Sequence, residues 1–443
     1  MRKKISIFLI CLLLISSSTT IAFTTFNRDE QQIKHPFFDS TPAPLSTPKR
    51  WIKTFGGIAN DICFSVEQTF DGGYIIAGWT SSYGTGKADF WLIKTDNIGI
   101  EKWNRTFGGI DYDYGESVQQ TTDGGYIITG ITNFSYNTGY GDFWLIKTDN
   151  NGIEKWNRTF GGTNVDWPHS VQQTSDGGYI IMGVTNSFGI DNEDIYLVKT
   201  DAEGTKLWDK TFGGISQDLG YYAHQTSDEG YIITGGTYSP NTNSYDIWLI
   251  KTNINGDETW NRTYGGISGD NGYYIQQTSD GGYIVIGYTY SFSAGKEDIW
   301  LIKTDSSGNM LWDRTFGGIH HDGGYSVQQT SDGGFIITGY TDSFDAGNYN
   351  VWLIKTNNNG IEEWNRTFGG TTTDDNGRSI QQTSDGGYVI LGSTKSYDTG
   401  DYDVLLIKTD SKGKSKTILS SSFWFEKLFQ RFPLFEKILN QIL

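Results

Sequence analysis

The chain has 443 residues, 57 of them glycine and only 7 proline, and aromatic side chains make up 15% of it. A formal net charge of −17 opposes a phosphate backbone and argues against nucleic-acid binding, so the acidic surface acts mainly on solubility. Many flat side chains with abundant turn residues and few charges point to an all-β protein, and the length allows several domains or one repeat array.

The N-terminus reads as an export signal over residues 1–22. Arg2, Lys3 and Lys4 precede an apolar stretch from Ile5 to Ile15, and a Ser/Thr run leads to a cleavage point after Ala22. The alternative is an uncleaved anchor running to about Phe26, although the apolar core alone is too short to span a bilayer. Cys11 lies in that core without the small preceding residue of a lipoprotein signal. Cys63 is then the only cysteine of the mature chain, and no intrachain disulfide can form. Residues 23–50 hold Pro36, Pro42, Pro44 and Pro48 among Ser, Thr and charges and read as a linker.

From Trp51 to Asp410 one unit recurs at 52 to 53 residues. Asp-Gly-Gly starts at Asp71, Asp123, Asp176, Asp280, Asp332 and Asp385, with Asp228-Glu-Gly as the variant; Lys-Thr closes a hydrophobic run at Lys94, Lys147, Lys199, Lys251, Lys303, Lys355 and Lys408. Seven copies of this length lie near the range of propeller blades. Each unit holds four strand-like runs, such as Ser117–Thr121 (A), Gly125–Thr132 (B), Asp142–Thr148 (C) and Trp156–Phe160 (D), with tight hairpin signals between A and B and between C and D. Strand C is apolar on successive residues, which fits a strand covered on both faces. Strand A is polar, with Gln68, Gln120, Gln173, Gln225, Gln277, Gln329 and Gln382 at one position, and belongs innermost, beside a water-filled channel. The order along the chain is D-A-B-C, so the first D (Trp51–Phe55) lacks its own A, B and C, and the last A-B-C set lacks a D. A ring closed by the N-terminal strand resolves both and leaves no open sheet edge. The expected fold is an all-β, seven-bladed β-propeller with four antiparallel strands per blade.

The Asp-Gly-Gly-Tyr and Trp-Asn-Arg-Thr-Phe-Gly-Gly motifs, over about 360 residues, resemble the repeats of secreted archaeal and bacterial cell-surface propeller proteins. The blades also resemble kelch blades, although the glycine doublet after strand B is single at Gly130, Gly183 and Gly287 and doubled only at Gly235-Gly236. Asp149, Gly152 and Trp156 are similar to the Asp, Gly and docking Trp of quinoprotein-type blades, with a gap one residue shorter. Those enzymes typically use an adjacent cysteine pair that this chain cannot supply, so the fold carries over and the redox chemistry does not.

No familiar catalytic motif is present, no cofactor is implied, and His320-His321 lacks a third ligand for a metal. Asp149-Asn-Asn-Gly152 begins like a calcium loop but reaches Phe160 where Glu is needed. Four residues after each Gly-Gly doublet stands an aspartate: Asp61, Asp113, Asp166, Asp218, Asp270, Asp322 and Asp374. These are expected to sit in the D–A loops and ring one face, either as a cation site or carboxylate-lined mouth, or as caps of their own loops. A second acid (Asp89, Asp142, Asp194, Asp246, Asp298, Asp403, with Asn350 the exception) starts strand C. The B–C loops open on the same face and carry aromatics, among them Tyr83, Tyr136, Tyr140, Tyr245, Tyr290, Tyr349 and Tyr402. Aromatics beside carboxylates and amides stack on sugar rings; alternatively, the first aromatic of each loop packs between blades.

Beyond a linker at 411–422, residues 423–443 place Phe425, Leu428, Phe429, Phe432, Phe435, Ile438, Leu439 and Ile442 at helical spacing, divided by Pro433. This amphipathic tail is expected to lie on a membrane or dock to a partner, or else to pack on the propeller itself. The expectation as a whole is a monomeric, non-catalytic binding or scaffold protein, secreted and associated with the cell surface. Its ligand is an extracellular glycan or a surface protein. The enzyme alternative is a polysaccharide-active propeller.

Overall fold

The computed structural model describes residues 50–415 apart from 136–139, 191–192, 345–347, 371–372 and 397–400. The export signal, the linker as far as residue 49, and the amphipathic tail lie outside the described residues.

Twenty-eight strands form seven four-stranded antiparallel sheets. After β1 (Trp51–Phe55), the first blade is β2 (Asp61–Gln68), β3 (Tyr74–Thr80), β4 (Asp89–Thr95) and β5 (Glu101–Phe107). The pattern repeats with β6 (Tyr112–Gln120) to β9 (Glu154–Phe160), β10 (Asp166–Gln173) to β13 (Lys206–Phe212), and β14 (Asp218–Gln225) to β17 (Glu258–Tyr264). It continues with β18 (Asp270–Gln277) to β21 (Met310–Phe316) and β22 (Asp322–Gln329) to β25 (Glu362–Phe368). The seventh sheet has the order β26 (Asp375–Gln382), β27 (Tyr388–Thr394), β28 (Asp403–Thr409), β1. The fold is a seven-bladed β-propeller. Among the described residues no helix occurs.

Local chemistry sets each hairpin. The Asp71 carboxylate accepts from the Gly73 N–H at 3.0 Å and from the Thr69 hydroxyl at 2.5 Å, while Gly72 takes a φ of 77°. β4 is buried along its whole length, as its unbroken apolar run requires. The core accordingly lies between blades: Ile75, Phe90 and Leu92 of the first pack with Val118, Tyr126 and Ile128 of the second.

Ring closure is direct. β1 pairs with β28 from Trp51↔Lys408 to Phe55↔Val404. The Trp51 ring then crosses the seam to the first blade, 5.7 Å from Tyr74 and against Gly99, where a Cβ would lie 2.6 Å from the indole. The same dock recurs at Gly152/Trp103, Gly204/Trp156, Gly256/Trp208, Gly308/Trp260, Gly360/Trp312 and Gly413/Trp364. Trp156 therefore serves the turn of the blade after its own. The last of these docks extends the propeller past residue 410 to the turn at Gly413, inside the segment read as linker.

Candidate ligand site in the central channel

Two expected features of the ring aspartates change in the structure. All but Asp374 stand at the starts of the innermost strands instead of in loops, and those six are buried. Asp61 accepts from the Thr80 hydroxyl, the Ser82 hydroxyl at 2.7 Å and the Gly57 N–H at 2.7 Å. Asp166 and Asp270 repeat this set with Thr185, Ser187 and Gly162, and with Thr289, Ser291 and Gly266. Asp113, Asp218 and Asp322 accept the equivalent glycine N–H. This is the geometry of loop caps. In the seventh blade the position belongs to Asp375, which accepts from the Ser396 hydroxyl and the Gly370 N–H. Asp374 is one residue out of register, because the loop after Gly370 is one residue longer than its counterparts; its carbonyl accepts from the Lys395 N–H.

The acids that start strand C face these caps. Gly161 shows how closely: a Cβ there would lie 2.0 Å from Asp142 Oδ1 and 2.7 Å from Asp166 Oδ2, so the first glycine of the doublet is a demand of space. Burial, and then the facing Asp166, raises the Asp142 pKa.

The loop aromatics do not all act alike. Tyr83 rests on Trp91 at 5.5 Å and donates its hydroxyl to the Gly56 carbonyl at 2.8 Å; Phe188, Phe292 and Phe344 rest likewise on Tyr196, Trp300 and Trp352. These pack on strand C. Tyr140 is 57% exposed, Tyr402 lies under the Lys395 ammonium at 4.1 Å, and Tyr136 lies outside the described residues. Tyr245 donates to Gln217 Oε1. Tyr290 and Tyr349 instead lead inward. Tyr290, Tyr288 and Tyr273 follow one another at 5.7 and 5.7 Å, and Tyr349, Tyr340 and Tyr325 at 5.2 and 5.6 Å. Two tyrosine chains thus run from the B–C loops to the channel. Between them sits buried Glu297, which meets His321 Nδ1 at 2.5 Å and accepts from the Tyr340 hydroxyl at 3.3 Å.

Every innermost strand carries a β-bulge at one repeated position, where the ladder steps over a residue: Phe64, Glu116, His169, Tyr221, Tyr273, Tyr325 and Arg378. A bulge frees that residue from pairing and re-aims its side chain. All seven line a central cavity of ≈ 580 Å³ and most meet their neighbours around it. His169 lies 4.0 Å from Glu116 and 5.6 Å from Tyr221. Tyr221–Tyr273 and Tyr273–Tyr325 follow at 4.9 and 5.1 Å, and the Arg378 guanidinium stands 4.2 Å from the Tyr325 ring and 5.7 Å from that of Phe64. Burial raises the pKa values of Tyr221 and Tyr273, so both hydroxyls remain protonated donors. None of the motifs in the sequence includes this column. Its signal was present: the seven aligned strands carry five residue types at this position, between a mostly glycine column and a column of serine and tyrosine.

Below the bulges two amide rings stitch the blades together. Gln119 Oε1 accepts from the Gln173 N–H at 2.6 Å, and Gln172, Gln276, Gln328 and Gln381 act alike on the next blade. Glu67 fills this slot in the first blade, accepting from the Gln120 N–H at 2.5 Å, and burial pushes its pKa up to about 7. His224 fills it in the fourth, with its pKa lowered to about 4 by burial. The second ring is the glutamine column expected to face water. Each of these seven accepts from an N–H in the A–B turn of the blade before, ending with Ser384 N–H to Gln68 Oε1 at 2.9 Å across the seam. Their conservation along the chain is therefore mechanical.

No protein-family model and no curated protein matches this sequence. Among solved structures, the chain is similar to the WD40 domain of Pan2 from Neurospora crassa at 10% identity and a TM-score of 0.48, over 84% of this chain and 99% of that one. Sqt1 from Chaetomium thermophilum is similar at 11% identity and a TM-score of 0.47, over 84% and 86%. An acylaminoacyl peptidase from Pyrococcus horikoshii is similar at 11% identity and a TM-score of 0.43, over 78% of this chain and 51% of that one. Likeness at this level concerns the fold alone.

Proposed function

We propose that this chain is a non-catalytic binding protein of the cell exterior that takes a glycan into its channel from the face carrying the D–A and B–C loops. One observation carries the reading. The molecule is close to seven-fold symmetric in its caps, docks and amide rings, yet the bulge column holds five residue types in seven positions. A symmetric scaffold whose channel-lining ring is asymmetric is what selection for a particular ligand produces. The tyrosines offer stacking faces, Glu116 accepts hydroxyl donors, and the cavity volume suits a small molecule or chain end. Secretion, and surface contact through residues 423–443, rest on the sequence and on the resemblance to cell-surface propellers.

A second reading has its own support. Ile58, Ile110, Ile215, Ile267 and Ile319, each 71–85% exposed, follow the Gly-Gly doublets around the same face, and exposed apolar side chains of this kind mark protein-docking surfaces. Binding to a glycan array, with product release followed in parallel, tests the proposal. Retention of a glycan that Tyr273→Ala loses supports it. Released product would make the protein an enzyme, and binding unchanged by Tyr273→Ala would remove the channel from the account.

A further inference from the structure

The tyrosine ladder ends on a cation with no counter-charge. Seven arginines fall among the described residues, and six of them have an acceptor. Arg50 pairs with Asp410 at 3.4 Å. Arg105, Arg158, Arg262, Arg314 and Arg366 each donate from Nη1 to the carbonyl of the preceding residue, at 2.5 to 2.7 Å. Arg378 makes no hydrogen bond or ion pair among the described residues, and its Nε is buried without a partner. Two aromatic rings flank its guanidinium, Tyr325 on one side and Phe64 on the other.

The channel's carboxylates are engaged elsewhere. Glu116 Oε1 receives the Trp167 indole N–H at 3.0 Å and its Oε2 faces His169, while Glu67 receives the Gln120 N–H. Arg378 is half-buried, with Nε withdrawn from water and without an acceptor, and its planar fork fits a carboxylate or sulfate with two parallel bonds. Here it borders a cavity of ≈ 580 Å³ at the end of a run of aromatic faces.

We infer that Arg378 anchors an anionic group carried on a sugar, so that the ligand is an acidic saccharide of the uronic-acid class with its ring faces on Tyr273 and Tyr325. This rests on the glycan reading of the channel. The carboxylate meets Arg378 and sugar hydroxyls donate to Glu116.

The test compares digalacturonic acid with its neutral counterpart, digalactose, on wild type, Arg378→Gln and Tyr273→Ala. The acidic disaccharide is expected to bind about tenfold or more tighter, with the preference lost in Arg378→Gln and overall binding weakened in Tyr273→Ala. Equal binding of the two, both lost in Tyr273→Ala, overturns the anionic anchor and leaves the glycan site standing. If neither disaccharide binds, the glycan reading falls and melting with sodium galacturonate or sodium sulfate decides the anchor. A rise in wild type that Arg378→Gln abolishes supports it; no such difference overturns it. Arg378→Met without ligand gives a separate reading: an unchanged or higher Tm supports a binding role, and a fall of several degrees shows a structural one.

Discussion

Lys94 Nζ lies 2.9 Å from Asp71 Oδ1 and 2.8 Å from the Thr95 carbonyl, so the two marks that define the repeat are partners in space. The lysine side chain is 5% exposed and the aspartate 46%, and the pair recurs in all seven blades. Burial opposes ionisation of Asp71, but bonds from Thr69, Lys94 and Gly73 outweigh it and hold the carboxyl well below its ordinary value. Asp71→Asn leaves a buried ammonium with neutral acceptors and no counter-charge, and should cost about 2 kcal/mol, read from chemical denaturation. Because the folded pKa is depressed, the contribution is complete above the ordinary value of 3.8 and is lost as pH falls below it. Melts from pH 7 to pH 2 should show the decline setting in near pH 4, less steeply in the variant.

Closure of the ring depends on the Trp51–Gly99 dock as well as on the β1–β28 ladder. Gly99 and Gly124 both hold a positive φ, at 76° and 81°, but a Cβ at Gly124 meets nothing within 4 Å. Gly99→Ala should therefore cost about 1–3 kcal/mol more than Gly124→Ala, the difference being steric. Deleting residues 51–57 should abolish cooperative unfolding and promote aggregation through the bared β28 edge, whereas deleting 24–49 should change little. Like behaviour of the two deletions would refute the ring.

The inner amide ring has two departures from glutamine, each with its own outcome. Among the described residues His224 sends no bond to the Gln277 N–H, so His224→Gln should complete the ring and add about 1 kcal/mol. Glu67 is the costlier departure. Its folded pKa of about 7 exceeds the ordinary 4.5, so the native state holds the extra proton between these values and stability falls as pH rises through that window. Glu67→Gln should raise Tm at pH 8 by the equivalent of about 2 kcal/mol and have little effect at pH 4. An equal gain at both pH values would show that charge is not the cause.

Asp298 tests the paired acids at the strand C starts. Burial, and among the neighbouring charges Asp322, raises its pKa, and its Oδ1 is buried without a partner. Asn350 occupies the same position in the sixth blade, so the fold accepts an amide there. Asp298→Asn should raise Tm at neutral pH and lose this advantage as pH falls toward 3.8, where the wild-type carboxyl is protonated too. Calcium should leave the wild-type Tm unchanged. A calcium-dependent rise that Asp298→Asn removes would mean the acids hold a cation.

The fold was legible in the sequence because repetition reports on what every blade must do. Asp71, Lys94 and Trp103 stand at fixed intervals since each meets the same partner in every copy, and the orphan Trp51–Phe55 run fixed the closure. Partners were harder to read than positions. The Lys–Asp pair joins residues 23 apart in the chain, and the glutamine clamps span about fifty, so no local pattern couples them. Register failed at Asp374 because a single inserted residue leaves no trace when the next residue, Asp375, is also an aspartate. The channel ring went unread for the opposite reason. Phe64, Glu116 and Arg378 share nothing but a column, and motif reading discards a column that varies.

The bulges have a further consequence for how such a protein diversifies. A residue that takes no part in the ladder and touches no inter-blade core can change without altering strand register, turn geometry or ring closure. Each duplication of the unit therefore delivers a fresh copy of the framework together with one side chain exempt from its constraints. Seven such copies make a set of independently variable positions around one axis, and a new ligand preference can arise from substitutions that leave folding untouched.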